Sequence, residues 1–320
     1  MVTGGAGYIG SVTTAMLVEA GHEVLVFDSL ARGHRAAVHP RARLVIGDLS
    51  DSAAIEAAVA GFRPDCILHF AALIEVAESV KEPARYFQNN VGGGINLLNA
   101  CCRHRVCRFV FSSTAAVYGN PARLPLTEES RLQPVNPYGS TKLVFELLLR
   151  EFEKACGLRH AVLRYFNVAG AWQGLGEDHR PESHLIPRIL RAAAGGEVFE
   201  IYGGDYPTRD GTCVRDYVHV ADLARAHLLA MEALGERSVV YNLGSENGYT
   251  NREVFAAAEE VLGVRIPVRV GPRRPGDAPE LVASAEKARR ELGWRPEKTL
   301  KEMIADALEF QRRFPAGYPD

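Results

Sequence analysis

Thr3-Gly4-Gly5-Ala6-Gly7-Tyr8-Ile9-Gly10 is the stretch that decides the fold of this chain. It follows a short apolar run and precedes a segment with helical periodicity. Its three spaced glycines lack side chains, so the backbone can turn sharply and approach a pyrophosphate at the helix N-terminus. Asp28 ends the next apolar run, where a carboxylate can accept both adenine ribose hydroxyls and repel a 2′-phosphate. Glycines alone could form an ordinary turn, but together with Asp28 they predict an NAD site.

The first half of the chain alternates short apolar runs with helical patterns, which is typical of βαβ units. We therefore predict an α/β fold, a Rossmann-type doubly wound parallel sheet, over residues 1–168. Gly- and Pro-containing segments then break the pattern, and we expect a smaller C-terminal lobe over residues 169–320. The predicted strands are Glu23–Asp28, Ala42–Gly47, Cys66–Phe70, Phe109–Ser112 and Ala161–Tyr165, and the predicted helices include Ser11–Ala20, Ala54–Ala60, Phe87–Arg103 and Tyr138–Cys156.

Bulk properties argue against several classes of function. The 320 residues carry a formal net charge of −2, which offers no electrostatic basis for binding nucleic acid. We find neither an apolar run of about 18 residues nor a signal pattern, and we expect no membrane partner and a cytoplasmic location. The six cysteines show no Cys-x-x-Cys pair and are expected to be reduced thiols. We also find no zinc-ligand spacing among the ten histidines and predict no metal site.

A second motif predicts the catalytic groups. Asn136 suits a helix N-cap and Pro137 suits the first turn, so Tyr138 and Lys142 share one helix face. The positive charge of a lysine about 6 Å away, with the helix N-terminus and a nicotinamide ring, would lower the tyrosine pKa from about 10 toward neutrality. Thr114, at the end of a predicted strand, offers a hydroxyl partner. Such a pair is often a chance surface pair, but behind a dinucleotide motif it predicts an acid/base group.

These motifs resemble the extended short-chain dehydrogenase/reductase family, and within it the 4-epimerases of UDP-hexoses. The resemblance covers essentially the whole chain. Its most diagnostic part is Asp210-Gly211-Thr212-Cys213-Val214-Arg215-Asp216-Tyr217-Val218-His219-Val220. It also includes His69–Ala72, Asn89–Val91, Arg164–Asn167 and Ser183–Pro187.

The resemblance implies a role for individual positions. The implied catalytic residues are Thr114, Tyr138 and Lys142. The implied NAD-binding residues are Gly4, Gly7, Tyr8, Ile9, Gly10, Asp28, Asp48, Leu49, Phe70, Ala71, Ala72, Asn89, Ser112, Tyr138, Lys142 and Tyr165. The implied substrate-binding residues are Thr114, Tyr138, Phe166, Asn167, His184, Leu185, Arg215, Arg274, Asp277 and Leu281. Arginines suit a diphosphate because the guanidinium fork matches two oxygens, although they could also belong to a solvated charged surface.

The implied reaction is the interconversion of UDP-glucose and UDP-galactose by transient hydride transfer from C4 to tightly bound NAD. The alternative is a 4-epimerase of UDP-N-acetylhexosamines or of another UDP-sugar, such as a uronate or pentose. A dehydratase or decarboxylase would need a carboxylate where this chain has Ala115 and Ala116. An inactive NAD-sensing regulator is disfavoured by the intact Tyr138 and Lys142.

The resemblance also implies a homodimer through a four-helix interface. Phe87–Arg103 and Tyr138–Cys156 would each pair with their copies across a two-fold axis. Leu98, Phe145 and Leu149 could form that interface, but they could equally cover the sheet.

Overall fold

The computed structural model describes residues 1–235, 237–274 and 277–319. It contains a large sheet and smaller sheets in the second half of the chain. The strands are β1 (Val2–Thr3), β2 (Leu25–Asp28), β3 (Arg43–Ile46), β4 (Cys66–His69), β5 (Arg108–Thr114), β6 (Arg159–Tyr165), β7 (Asn167–Ala169), β8 (Phe199–Tyr202), β9 (Val214–His219), β10 (Val239–Leu243), β11 (Gly248–Thr250), β12 (Val268–Gly271) and β13 (Glu280–Leu281).

Helices connect most of these strands. A π-helical turn, Phe87–Gly93, leads directly into α5, so the predicted helix over 87–103 has two parts. The helices are α1 (Tyr8–Glu19), α2 (Ser52–Phe62), α3 (Val76–Lys81), α4 (Pro83–Tyr86), α5 (Gly94–Arg103), α6 (Pro137–Cys156), α7 (Leu185–Gly195), α8 (Val220–Ala233), α9 (Asn251–Leu262), α10 (Glu286–Leu292) and α11 (Leu300–Arg313). None of the helices in the described part of the chain is both long and apolar enough to cross a membrane.

The large sheet has seven strands in the order β10-β6-β5-β4-β1-β2-β3, and every pair in it is parallel. The predicted doubly wound parallel sheet is therefore confirmed. The strand order reverses at β1, which lies between β2 and β4. In sheets of this kind ligands bind in the crevice at the carboxyl ends of the strands, at such a reversal.

Helices cover both faces of this sheet. On one face α1 and α8 contribute Leu17, Val18, Ala226 and Ala230 to an apolar cluster. On the other face α2, α5 and α6 contribute a second cluster, which includes Leu98, Phe145 and Leu149. These three residues cover the sheet, so they are not the apolar surface of a dimer interface.

The large sheet extends beyond the predicted boundary after residue 168. Strand β10 pairs with β6, and α8 packs on the sheet, although both lie in the second half of the chain. The sequence pattern did not reveal this return because β10 is a single short strand flanked by loops. The rest of that half contains a small sheet built on β9, a β8–β12 pair and an apolar cluster under α7, α9 and α11.

The prediction that all six cysteines are reduced is wrong for one pair. Cys102 and Cys156 form a disulfide, with their Cα atoms 5.7 Å apart. They end α5 and α6, and both helices run back against the direction of the strands, so their C-termini meet at the same edge of the sheet. Cys107 is a free, exposed thiol, whereas the other unpaired cysteines are buried.

Candidate active site

The loop after β1 forms a cradle that only glycine fits at two positions. Gly4 has a φ angle of +72°, and a Cβ there would lie 2.5 Å from the backbone nitrogen of Ala71. A Cβ on Gly10 would lie 2.1 Å from the carbonyl oxygen of Gly4. Helix α1 begins at Tyr8 with neither a side-chain cap nor an acidic residue in its first turn. Its first backbone N–H groups are therefore available to an anion.

Asp28 lies beside this loop at the end of β2. Its Oδ2 accepts a hydrogen bond from the backbone N–H of Ala6 at 3.0 Å, and its Oδ1 accepts one from Leu30 at 2.9 Å. A carboxylate has about four acceptor positions, so some remain for ribose hydroxyls. Burial raises the pKa of Asp28, although the two backbone hydrogen bonds oppose this effect.

Other predicted cofactor residues lie at the same edge of the sheet. Phe70 and Ala71 follow β4, and the N–H groups of both donate to the carbonyl oxygen of Thr3, at 2.9 and 3.2 Å. Asp48 follows β3, and hydrogen bonds from Ser50 hold the pKa of its carboxyl below the usual value. The remaining predicted residues on the loops and helices that follow β1, β3 and β4 are Gly7, Ile9, Leu49, Ala72 and Asn89.

Tyr138 and Lys142 lie in the first two turns of α6, as their spacing predicted. The side chain of Asn136 caps this helix by accepting a backbone hydrogen bond at 2.8 Å. The Lys142 Nζ lies 6.0 Å from the centroid of the Tyr138 ring and donates to the carbonyl oxygen of Ser112 at 2.8 Å. Thr114 ends the neighbouring strand β5 and contacts the Tyr138 hydroxyl. The structure therefore brings the three predicted catalytic residues together.

Burial changes the pKa values of both ionisable groups in this site. Burial raises the pKa of Tyr138 to about 12, and the hydrogen bond with Thr114 opposes this only in part. Burial also lowers the pKa of Lys142 to about 7, against the attraction of Glu146. The lowering of the tyrosine pKa is expected from lysine together with the helix N-terminus and a nicotinamide ring, and it stays a prediction. Helical spacing indicated how far apart the two groups lie, but not that both are removed from water.

Tyr165 is the last predicted cofactor residue in this region. It ends β6 and lies opposite Thr114 in the strand register. Its hydroxyl forms a hydrogen bond with the Ser112 side chain. Burial raises the pKa of the Tyr165 phenol, so it stays protonated at neutral pH.

A second group of predicted residues lies on the small sheet. Arg215, on β9, donates from Nη1 to the carbonyl oxygens of Val214 and Ala278, at 2.9 and 2.8 Å. Its Nη2 lies 3.6 Å from Oδ1 of Asp277. The backbone bonds fix the guanidinium on one side, while the other side faces a carboxylate that an anionic ligand could replace.

Four further predicted substrate residues lie around this sheet. Leu281 is opposite Arg215 in the strand register and contacts an apolar cluster that contains Phe166. The guanidinium of Arg274 lies over the ring of Tyr202, 4.7 Å from its centroid. Asn167 begins β7, and its side chain forms a hydrogen bond with Tyr217.

His184 and Leu185, also predicted to bind the substrate, are at the start of α7. The His184 Nδ1 lies 2.5 Å from a carboxylate oxygen of Glu177 and 3.6 Å from one of Glu182. Burial lowers the His184 pKa, but the charge of Glu177 more than compensates and raises it to about 9. Its nearest polar neighbours are therefore carboxylates of its own loop, and its contact with a substrate stays a prediction.

Comparison with known proteins identifies the family. The model of the NAD dependent epimerase/dehydratase family matches residues 1–244. The chain belongs to this family. It is 47% identical to the UDP-glucose 4-epimerase of Lactobacillus helveticus, over 100% of this chain and 99% of that protein.

Solved structures agree with this assignment. The UDP-glucose 4-epimerase of Brucella ovis in complex with NAD is 45% identical, with 97% of each chain covered and a TM-score of 0.92. The UDP-glucose 4-epimerase of Bifidobacterium longum in complex with NAD+ and UDP is 39% identical, with 99% of each chain covered and a TM-score of 0.95. The predicted resemblance and the predicted NAD dependence are confirmed.

The residues of this family member fit NAD. The glycine cradle and the uncapped α1 N-terminus suit the pyrophosphate, and Asp28 suits the adenine ribose. Lys142 and Tyr165 lie where β5 and β6 end, across the reversal point from the glycine loop. Individual contacts to the cofactor stay predictions.

Sequence reasoning missed a buried ion pair next to the predicted catalytic residues. Arg164 donates to both carboxylate oxygens of Glu146, from Nε at 3.0 Å and from Nη2 at 2.6 Å. Ser113 donates to the same carboxylate at 2.6 Å, and Arg164 also donates to Tyr118 at 3.0 Å. The available signal was the position of Glu146, one helical turn after Lys142.

Proposed function

We propose that this chain is a UDP-glucose 4-epimerase, which interconverts UDP-glucose and UDP-galactose by inverting C4 of the hexose. The observation that carries this proposal is that Thr114, at the C-terminal end of β5, lies beside Tyr138 and Lys142, at the start of α6. Full-length similarity to enzymes named UDP-glucose 4-epimerase supports it. Alanines at 115 and 116, after β5, argue against dehydratase chemistry, because no carboxylate follows the strand there.

Tyr138, Thr114 and Lys142 have different roles in the proton transfer. Bound NAD supplies the hydride acceptor and a positive charge. Tyr138 takes the proton of the C4 hydroxyl and later returns it to the 4-keto sugar, and Thr114 hydrogen-bonds the same oxygen. Lys142 holds an ammonium beside the phenol while its bond to Ser112 fixes its position. Because burial disfavours the phenolate, this positive charge is needed before Tyr138 can act as a base.

The polar residues of the second group suit a diphosphate more than a sugar. Arg215 and Arg274 are cations on the small-sheet side, and Arg215 is already oriented by two backbone carbonyls. The sugar side, by contrast, offers Phe166 and Leu281, which are apolar. We infer that the nucleotide is held firmly and the hexose loosely, so that the 4-keto sugar can turn over and present its other face.

The decisive experiment is incubation of the purified protein with UDP-galactose and no added NAD. We expect UDP-glucose to form, and we expect NAD in the supernatant of the denatured protein. A preparation that holds NAD, binds UDP and forms no UDP-glucose would contradict the proposed reaction.

Leu281 supports a broader substrate range than a tyrosine at this position would allow. Leucine is smaller than tyrosine and larger than cysteine, and it contacts the cluster of Phe166. We expect UDP-glucose and UDP-galactose to be preferred over the N-acetyl sugars by roughly 10- to 200-fold in kcat/KM. Leu281→Tyr should increase this ratio and Leu281→Cys should decrease it. If neither variant changes the ratio, another residue limits the sugar.

We further propose a homodimer through Phe87–Arg103 and α6. Since Leu98, Phe145 and Leu149 cover the sheet, the interface would use the outer face, where Phe87 and Leu147 are 39% and 49% exposed. Light scattering should give twice the chain mass of 35.0 kDa, and Leu147→Glu should shift it toward the monomer. A cytoplasmic location stays a prediction. Disulfides such as Cys102–Cys156 are more frequent in oxidising compartments than in the cytosol.

A further inference from the structure

The loop between β7 and α7 gathers four potential metal ligands from a stretch of eight residues. They are Glu177, His179, Glu182 and His184, and one ligand atom of each lies within 4.8 Å of all the others. The shortest separations are 2.5 Å between Glu177 and His184 and 3.0 Å between Glu177 and His179. Of the four, His184 alone is also among the predicted substrate-binding residues.

One oxygen in this loop is buried without a hydrogen-bond partner among the described residues. It is Oε2 of Glu182, whose side chain is only 2% exposed. The nearest guanidinium nitrogen to that oxygen, on Arg191, is 4.0 Å away, which is too far for a hydrogen bond. A buried acceptor without a partner destabilises a fold, so such atoms indicate a missing ligand.

The donor set suits zinc. Zinc binds imidazole nitrogen and carboxylate oxygen at about 2.0–2.2 Å, which places tetrahedral ligands about 3.3–3.6 Å apart. The separations in the cluster lie on both sides of this value, so small side-chain rotations would bring the four atoms into a tetrahedron. The two carboxylates and two neutral imidazoles would then balance the charge of one divalent ion.

We propose that Glu177, His179, Glu182 and His184 bind one Zn²⁺ ion in a closed, structural site. This differs from the prediction of no metal, which overlooked that four residues separate His179 from His184, a spacing found in zinc sites. His184, 46% exposed, is the side from which the ion would enter.

The ion would order a loop that connects distant parts of the chain. Ser183, between two of the ligands, donates to Glu75 at 2.6 Å, and Glu75 precedes α3. Asp178, also within the loop, accepts from the backbone N–H of Tyr318 at 3.0 Å. Binding at 177–184 would therefore fix the start of α7 against both the Rossmann sheet region and the C-terminal segment.

The first test is metal content, which does not depend on the proposed reaction. Protein freed of its affinity tag and of metal is incubated with a slight excess of ZnCl2, gel-filtered and analysed by mass spectrometry. We expect about one zinc per chain in the wild type and less than about one tenth of that in His179→Ala and Glu182→Gln. His104→Ala is the matched control, since His104 pairs with Glu56 on another surface, and it should retain zinc.

Two measurements on the wild type cover the case in which the variants fail to fold. Cobalt(II) added to the metal-free protein should give the visible absorption of a tetrahedral site, and equimolar zinc should abolish it. Zinc should also raise the Tm by roughly 3–8 °C at about a hundred times its Kd. Absence of zinc retention, or equal retention in His179→Ala and the wild type, would overturn the proposal, as would cobalt without tetrahedral absorption.

Discussion

Lys142 and Glu146 are one turn apart on α6, and both are buried. They differ in how far hydrogen bonds and an opposite charge compensate their own charge. Glu146 receives three hydrogen bonds, two from Arg164 and one from Ser113. Lys142 has a single hydrogen bond to a neutral carbonyl, and burial lowers its pKa to about 7. The paired charge belongs to the scaffold, whereas the uncompensated one lies beside the reacting tyrosine.

Successive residues of β5 also divide between structural and catalytic contacts. The Ser113 side chain points toward Glu146, while the Thr114 side chain, on the opposite face, contacts Tyr138. The backbone carbonyl oxygen of Ser112 accepts the hydrogen bond from Lys142. Neighbouring positions on one strand therefore contribute to stability or to catalysis according to the face they occupy. Ionisable groups with shifted pKa values are expected at functional sites, and Lys142 is such a group. Glu146 is a structural charge, because hydrogen bonds from Arg164 and Ser113 compensate it.

Tyr138→Phe should have the largest effect and should affect the catalytic side alone. Loss of an acid/base group lowers turnover by roughly 10²- to 10⁴-fold. UDP affinity, measured by calorimetry, should stay within about threefold, since the diphosphate is expected to bind arginines and not this hydroxyl. Near-normal turnover would mean that another group transfers the proton.

Glu146→Gln should mainly affect stability. It leaves the buried Arg164 guanidinium without its carboxylate, and breaking one partner of a buried pair lowers the free energy of unfolding by about 3–5 kcal/mol. Urea denaturation measures this. The control is Glu151→Gln on the same helix, whose pair with Lys154 is exposed and should contribute less than about 1 kcal/mol. Equal effects in the two variants would remove the distinction between the two sites.

Lys142→Met should abolish most activity yet stabilise the protein after removal of NAD. The folded chain must hold a buried ammonium below pH 7, whereas the unfolded chain holds it in water. The variant should therefore gain about 2–4 kcal/mol below pH 7. The gain should shrink as the pH rises above 7, because the folded wild type then loses this proton while the unfolded chain keeps it. A gain that is constant from pH 6 to about 9 would contradict the assigned pKa.

Ser113→Ala and Thr114→Val test the comparison at the smallest scale. Ser113→Ala should lower the free energy of unfolding by about 1.5–3 kcal/mol, since it removes a hydrogen bond to a buried carboxylate. Its kcat should change by less than about twofold. Thr114→Val should show the reverse, a lower kcat with little change in unfolding. The same profile in both variants would show that the two faces of β5 are not separate.

The sequence predicted the parts of this molecule that depend on local order. Gly4, Gly10 and Asp28 lie within one βαβ unit, and Tyr138 and Lys142 lie within one helix, so spacing alone locates them. Arg164 and Glu146 meet only because β6 lies beside β5 and α6 covers both, which no local pattern records. The effect of burial on the Tyr138 pKa was also not predictable from local spacing, because burial depends on how the whole chain packs.

The second half of the chain was less predictable. Strand β10 returns to the large sheet from residues 239–243, although the alternating pattern ends near residue 168. The His179 and His184 pair was overlooked because its glutamate partners are not part of the better-known cysteine and histidine patterns. Both features rely on loops that bring short segments together, and short segments carry little periodic signal.

The distribution of thiols makes this protein suitable for labelling at one point. Cys107 is exposed and free, two cysteines form a disulfide, and the remaining three are buried. Cys107 precedes β5, whose far end carries Thr114, about 23 Å away at 3.3 Å per residue. A maleimide dye on Cys107 would therefore sit at the edge of the sheet opposite the reacting groups. Energy transfer from that dye to a fluorescent nucleotide could follow ligand arrival without obstructing it.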